Sequence, residues 1–410
     1  MFHRMCTFAL ESAMYSVRLP VRVFGLVRWT ELDIIYPHEL FAKLYASHPA
    51  EFARRMFDGK PENISKFWNS QTEHPNYHGH PMHGHPYGFR NKAVPLFTHG
   101  DDVGAIGIGK IWSEAIDCVS WGSLLCGPCK SEDRHNLVWL VYNVTLAKLE
   151  DGNGTLKMLW RHLVWSLFWL YKGEWPSHDP DGDPYTEGIH AARKGHPLAG
   201  GYFGQIWVNR WDLDWGQSQF KLVNTDGNSC INCAATNDGL RPWTDCRDPP
   251  DCSWEVSTYT NESHAERFGD ERHRFLRGVL PGVGVACCMP DILHCIWLGC
   301  NQYFLGSALA LLTHFWLPGS FADNLEIVFA RIKAAYKDVG VAIKDRYPTM
   351  KVTQYKPSAS VSRLPKLKGT GRQCKGLAKV LPSVFEHFMD TGDDARSSNG
   401  FVWASLHSGG

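Results

Sequence analysis

Val94-Pro-Leu-Phe-Thr-His-Gly-Asp101 is the stretch on which the fold turns. It is an apolar run ending on Gly-Asp, the pattern of a buried strand with a carboxylate at its tip. Working outward, Glu114–Leu125 and Asn136–Leu146 are rich in Val, Trp and Leu and predict two further strands. Thr155–Lys172 then carries Leu156, Leu159, Trp160, Leu163, Leu167 and Leu170, the spacing of one helix face, with Gly173 and Pro176 to close it. Tyr202–Leu213 predicts a fourth strand that delivers Asp212 and Asp214. The order is therefore three strands, a helix and a strand, with acids after the first and fourth strands.

That order predicts an α/β fold built as an RNase H-like mixed sheet flanked by helices, in which the two acids meet at one end of the sheet. Residues 1–90 form a helical N-terminal flank: 31–70 read helical, Pro37-His-Glu-Leu-Phe-Ala-Lys-Leu-Tyr having apolar residues at helical spacing. A loop with His74, His78, His80, His83 and His85 follows. Its interleaved Pro and Gly resist a fixed metal geometry, so a solvated loop is expected. The first part of the core occupies 91–222 and a Cys-rich insertion 223–280. Residues 281–345 hold one more strand at Gly282–Cys288, a long apolar helix from Pro290 to Leu317 and a helix at Ala322–Lys337. A basic linker, a terminal helix at Lys375–Met389 and a tail fill 346–410.

Composition narrows the function. The 410 residues carry 42 Lys+Arg and 42 Asp+Glu, which excludes a broadly basic nucleic-acid coat but leaves room for a local basic patch. Aromatics at 13% exclude a disordered chain. The start, MFHRMCTFALESAM, lacks the sustained apolar run of a secretory leader. Leu159–Leu170 is broken by Arg161 and His162, and Tyr303–Leu317 is short and contains His314, both below the roughly 20 residues of a membrane span. A soluble chain with no membrane partner is expected. Thirteen irregularly spaced Cys point to a reducing compartment, nuclear or cytoplasmic, in which the Asn-x-Ser/Thr sites carry no weight.

Two motif matches are set aside. Cys126-Gly-Pro-Cys129 has the spacing of a redox dithiol, but Leu125 precedes it and a loop, then a strand, is expected after it instead of a helix start that would lower a thiol pKa. Gly104-x4-Gly109-Lys110 fits most of a phosphate-binding loop, yet Ile111 stands where the Mg²⁺-holding hydroxyl belongs; a glycine-rich hairpin is the better account. Cys230-Ile-Asn-Cys233 has the spacing for two thiolates on a structural Zn²⁺, with Cys246, Cys252, His264 and His294 all open as the second pair. Asp101 and Asp212 are the candidate ligands for Mg²⁺ or Mn²⁺, with Asp102 and Asp214 as neighbours if the register slips. Pro290-Asp291-Ile-Leu-His294 places an acid and an imidazole at i, i+3 on one face of a helix start, where the dipole favours the carboxylate.

His99-Gly-Asp101, Trp211-Asp212-Leu-Asp, Cys230-x-x-Cys233 and Met289-Pro-Asp291-Ile-Leu-His294-x4-Gly299, in that order, resemble the catalytic domain of eukaryotic DDE-class cut-and-paste transposases. The similarity is to CACTA/Plavaka-like elements and open reading frames descended from them, over about residues 90–390. The resemblance implies Mg²⁺ or Mn²⁺ held by Asp101 and Asp212, with Asp291 and His294 close to the site. It also implies hydrolysis of a DNA phosphodiester followed by strand transfer of the freed 3′-OH. DNA is then the expected partner, and a homo-oligomer is compatible. The third acid of the pattern, a Glu after a basic stretch, aligns with Gln373, whose amide keeps the shape and loses the charge. Glu386 on the following helix is the substitute if the alignment shifts. The expectation is a degenerate, catalytically inactive copy. The alternative is a non-catalytic, zinc-stabilised scaffold for nucleic acid or protein.

Overall fold

The computed structural model describes residues 13–104, 115–128, 131–150, 153–211, 213–220, 232–236, 239–242, 245, 247, 251–269, 273–289, 293–354 and 365–390. The chain divides into two compact units, Met1–Met289 and Pro290–Gly410.

The first unit opens with a hairpin that the helical reading of the flank missed: β1 (Met14–Val23) pairs antiparallel with β2 (Leu26–Ile35). Phe24 and Gly25 both sit at positive φ (49° and 78°), the backbone of a two-residue turn whose twist matches the strands it joins. Val17, Leu19 and Val21 alternate into the core, a period of two. Residues 31–35 are thus strand. The helices begin at Pro37, with α1 (Pro37–Ser47), α2 (Pro49–Phe57) and α3 (Glu62–Ser70).

A mixed five-stranded sheet follows, ordered β5-β4-β3-β6-β7. Its members are β3 (Ala93–Gly104), β4 (Ala115–Ser123), β5 (Asn136–Tyr142), β6 (Phe203–Trp211) and β7 (Cys288–Met289). β3, β4 and β5 pair antiparallel; β6 lies parallel to β3, and β7 parallel to β6. β3 does not end at Asp101 as expected. Its pairing with β4 continues through Asp101↔Cys118 and Asp102↔Asp117 to Gly104↔Ala115, so the acids sit inside a hairpin arm. The strand expected at Gly282–Cys288 shrinks to Cys288–Met289 behind a 3-10 turn at Val285–Cys287, because Gly282, at φ 71°, turns the chain.

The crossover from β5 to β6 runs through α4 (Thr155–Lys172), with the predicted bounds. Leu159, Leu163, Leu167 and Leu170 are buried, and Gly173, left-handed at φ 67°, donates its N–H to the Trp169 and Leu170 carbonyls. The short helix α5 (Leu213–Phe220) follows β6. The His-rich loop is not solvated throughout: His80 and His85 are buried. His85 stacks on Phe203 at 3.6 Å between centroids and its Nε2 is 2.9 Å from the Tyr171 carbonyl, while His80 lies 5.7 Å from the Trp207 ring. The Pro/Gly turns of the loop hold these rings against β6.

The second unit is helical and has its own core. Its main elements are α6 (Asn301–Ala310), flanked by wider helical turns at Leu293–Cys300 and Leu311–Trp316, then α7 (Phe321–Asp338) and α8 (Gly371–Asp390). Leu305 and Leu309 pack with Val328, Ile332, Leu377 and Val384. The helical stretch Cys295–Trp316, kinked at Gly299 (φ −91°, ψ −108°), is longer than the apolar run read in the sequence. By length and composition it is long enough to cross a membrane, a test that the core helix of a soluble bundle also passes.

Candidate functional site

β3 is the central strand, and its alternate residues serve two different faces. On the first, Gly100 lies under Trp215 of α5, so closely that a Cβ would fall 2.0 Å from the indole ring. Beside it Asp117 of β4 is fully buried. Its Oδ1 accepts the Trp139 Nε1–H at 2.6 Å, and its Oδ2 accepts the Trp215 Nε1–H at 2.8 Å and the Gln219 amide at 3.3 Å. Burial pushes this carboxyl up to about 6; the indole donors oppose the shift, and the Asp102 charge adds to it. One carboxylate therefore ties β4 to β5 and to α5.

The opposite face is polar and half-open. Across three strands Ser120, His99 and Arg210 form one row, His99 being the register partner of both others. The His135 ring lies 5.2 Å from that of His99 and 5.1 Å from that of Phe97, with its Nδ1 3.0 Å from the Ser120 hydroxyl. The Arg210 guanidinium sits over Phe97, Cζ 4.7 Å from the ring centroid. Burial, then the neighbouring His99, Arg210 and Arg134, pushes His135 down to about 4 and keeps it neutral at pH 7. Burial and Arg134 also lower Arg210. Asp101, half-buried, occupies the next row with Cys118, whose thiol is pushed up to about 12 by burial and by Asp117 and Asp101. That thiol is inert at neutral pH.

Of the residues read from the sequence, Asp101 is on this face. Asp212 and Asp291 lie outside the described residues, as do the side chains of Asp214 and His294. Trp211, the residue before Asp212, is the register partner of Gly100, the residue before Asp101. Asp102 belongs to the other face, is exposed and accepts the Asn143 amide at 3.1 Å. Gln373 and Glu386 are in the second unit. Gln373 is occupied locally: its Oε1 accepts the Thr370 N–H at 2.9 Å, and the Thr370 hydroxyl accepts the Gln373 N–H at 3.3 Å, a capping box at the start of α8. Glu386 is exposed on the same helix.

For zinc, Cys233 is buried and bridges Thr258, while Cys230 and Cys246 lie outside the described residues. Cys252 is buried with its thiol 3.3 Å from the Glu255 carboxylate, and His264 is buried against Phe268. Among the described residues no three His, Cys, Asp or Glu side chains converge as a metal cluster would. Asp101 offers one oxygen ligand of the kind a hard cation takes; the protonated Cys118 beside it offers none at neutral pH. A short helical turn, Ser131–Arg134, follows the Cys126 dithiol where a loop was expected; Cys129 and the glycine-rich segment 105–110 are outside the described residues.

Sequence reasoning missed Asp117, His135 and Arg210. For Asp117 the signal was present: in Ala115-Ile-Asp-Cys-Val-Ser-Trp it shares a strand face with Val119 and Trp121, an acid on an apolar stripe. Arg210 and His135 become a pair only through the strand order, which one strand's pattern does not encode. The chain matches no family model, no curated protein and no solved structure.

Proposed function

We propose that this chain descends from a DDE-class cut-and-paste transposase of the CACTA/Plavaka type and that its catalytic centre is degenerate. The observation that carries the reading is the strand order. Three antiparallel strands, a helical crossover, and then β6 and β7 parallel to the first strand form a mixed five-stranded sheet with Asp101 on its central strand, an order that supports an RNase H-like reading. In this reading Asp101 and Asp212 would hold Mg²⁺ or Mn²⁺, with Asp291 and His294 supporting them. Bound there, the ion would supply the charge stabilisation that hydrolysis and strand transfer of a DNA phosphodiester need. The chain's own contribution is positional: β3 carries Asp101 into a face lined by His99 and Arg210. Cys230 and Cys233 would hold a structural Zn²⁺ in the insertion. Gln373 brings no charge and spends its amide on the cap of α8, which supports the reading of lost activity.

A calorimetric Mn²⁺ titration of the wild type, D101N, D212N and Q373E tests this. The expected result is little or no binding by the wild type, D101N and D212N, and a gain of binding in Q373E. Glu suits the same capping box, so Q373E should not perturb the fold. Tight wild-type binding abolished by D212N would mean a living centre with a different third ligand. No binding by any variant would overturn the metal-centre reading.

A further inference from the structure

We infer that Arg210, with His99 and His135, forms a subsite for a phosphate-type oxyanion on the open face of the sheet, and that Arg210 is its main anchor. Arg210 is half-buried, and among the described residues no carboxylate forms an ion pair with it or with Arg134. Among the described residues the charge that acts on it is the like charge of Arg134. A guanidinium withdrawn from water beside another cation is unfavourable unless an anion offsets it. Burial partners elsewhere in the protein show the ordinary solution: Arg193 pairs with Glu39, and Arg55 with Glu51.

The local geometry suits a ligand. The Arg210 guanidinium lies over the Phe97 ring, Cζ 4.7 Å from its centroid, a contact that restricts where its N–H groups can reach. His99 is its register partner on β3, and His135 is held by the Ser120 hydroxyl at 3.0 Å with its ring 5.2 Å from His99. Three nitrogen-bearing groups on one face offer more donors than a planar carboxylate can use, whereas a phosphate presents acceptors in several directions. Two sources share that chemistry: the backbone of a nucleic-acid strand and a free phosphate. The inference stands on Arg210 and does not require the metal ligands of the proposed transposase centre.

The test is calorimetric binding of inorganic phosphate, and separately of a short single-stranded DNA oligonucleotide, to the full chain at low salt with EDTA present. The wild type should bind at least one probe, R210Q should weaken it at least ~10-fold, and R210K should retain part of the affinity. H135Q should weaken it less, and D101N should tighten it by removing a nearby negative charge. The exposed R267Q, distant in sequence and outside the sheet, should bind as the wild type does; circular dichroism checks that each variant is folded. Binding of phosphate that the oligonucleotide does not displace assigns a free-phosphate pocket; binding of the oligonucleotide, alone or in competition with phosphate, assigns a strand backbone. Equal affinity in R210Q and wild type, or no binding of either probe by the wild type, overturns the inference. A failure of Q373E to gain Mn²⁺ binding would instead count against the metal reading and leave this one standing.

Discussion

Asp117 decides more of this architecture than any acid at a strand end. Its two oxygens take donors from Trp139, Trp215 and Gln219, so D117A strands two indole N–H groups and an amide in the core. The expected loss is about 2–4 kcal/mol, from buried donors left without acceptors, measured as a lower urea midpoint at unchanged slope. The carboxyl also makes stability depend on pH. Its folded-state pKa is raised from 3.8 to about 6, so between those values the folded protein holds the proton more firmly than the unfolded one. The stabilising contribution is full below about 4, falls as pH rises through 6, and amounts to about 3 kcal/mol. D117N lacks this fall, although one of its indole neighbours then faces an amide N–H₂. The stability of D117N relative to wild type should therefore rise between pH 4 and pH 7; a constant difference would mean that Asp117 titrates as an ordinary carboxyl. An acid on the Val119/Trp121 stripe was visible in the sequence, but its meaning required knowing that β5 and α5 bring indoles to it.

At the scale of elements, the seating of α5 on β3 is the contact that most constrains the candidate site, since α5 begins one residue after Asp212. No side chain fits at Gly100, where a Cβ would overlap the Trp215 ring at about 2 Å. G100A should push α5 off the sheet and cost about 1–3 kcal/mol, the range for overpacking, while G104A, whose Cβ meets nothing, should be nearly neutral. Thermal melts of the two variants compare them directly, and equal melting temperatures would show that α5 is not clamped. The sheet was largely legible because its strands are apolar runs bounded by turns, and α4 because its leucines repeat on one face over five turns. The N-terminal hairpin was not legible in the same way. Phe24-Gly25 lacks the Asn-Gly or Asp-Gly signature of such turns, and β2 leaves Leu26, Val27 and Trp29 exposed, so its hydrophobic pattern does not alternate. The histidine loop was misread for the opposite reason: Pro and Gly marked it as irregular, and irregular was equated with solvated.

At the scale of the molecule, the chain carries no net charge and two separate hydrophobic cores, so function and stability are expected to divide along it. Asp101, Asp117, His99, His135 and Arg210 all belong to the unit ending at Met289, whereas Gln373 and Glu386 belong to the other. Oxyanion binding should then depend on the first core alone, while the metal affinity gained in Q373E should require the second core, which holds Gln373. Leu377 separates these expectations, being fully buried among Val328, Ile332 and Val380 in the second core, whereas Arg210 belongs to the first unit. L377A removes three buried carbons and should destabilise that unit by about 2–5 kcal/mol. In differential scanning calorimetry one transition should move down and the other stay in place, because domains with their own cores unfold as separate units. Below the lowered transition, phosphate or oligonucleotide affinity should equal that of the wild type. Between the two transitions it should persist, while Mn²⁺ binding by L377A in the Q373E background should vanish. A single transition shifted as a whole, with oxyanion affinity falling alongside it, would mean that the two cores fold as one and that Arg210 is not positioned by the sheet alone.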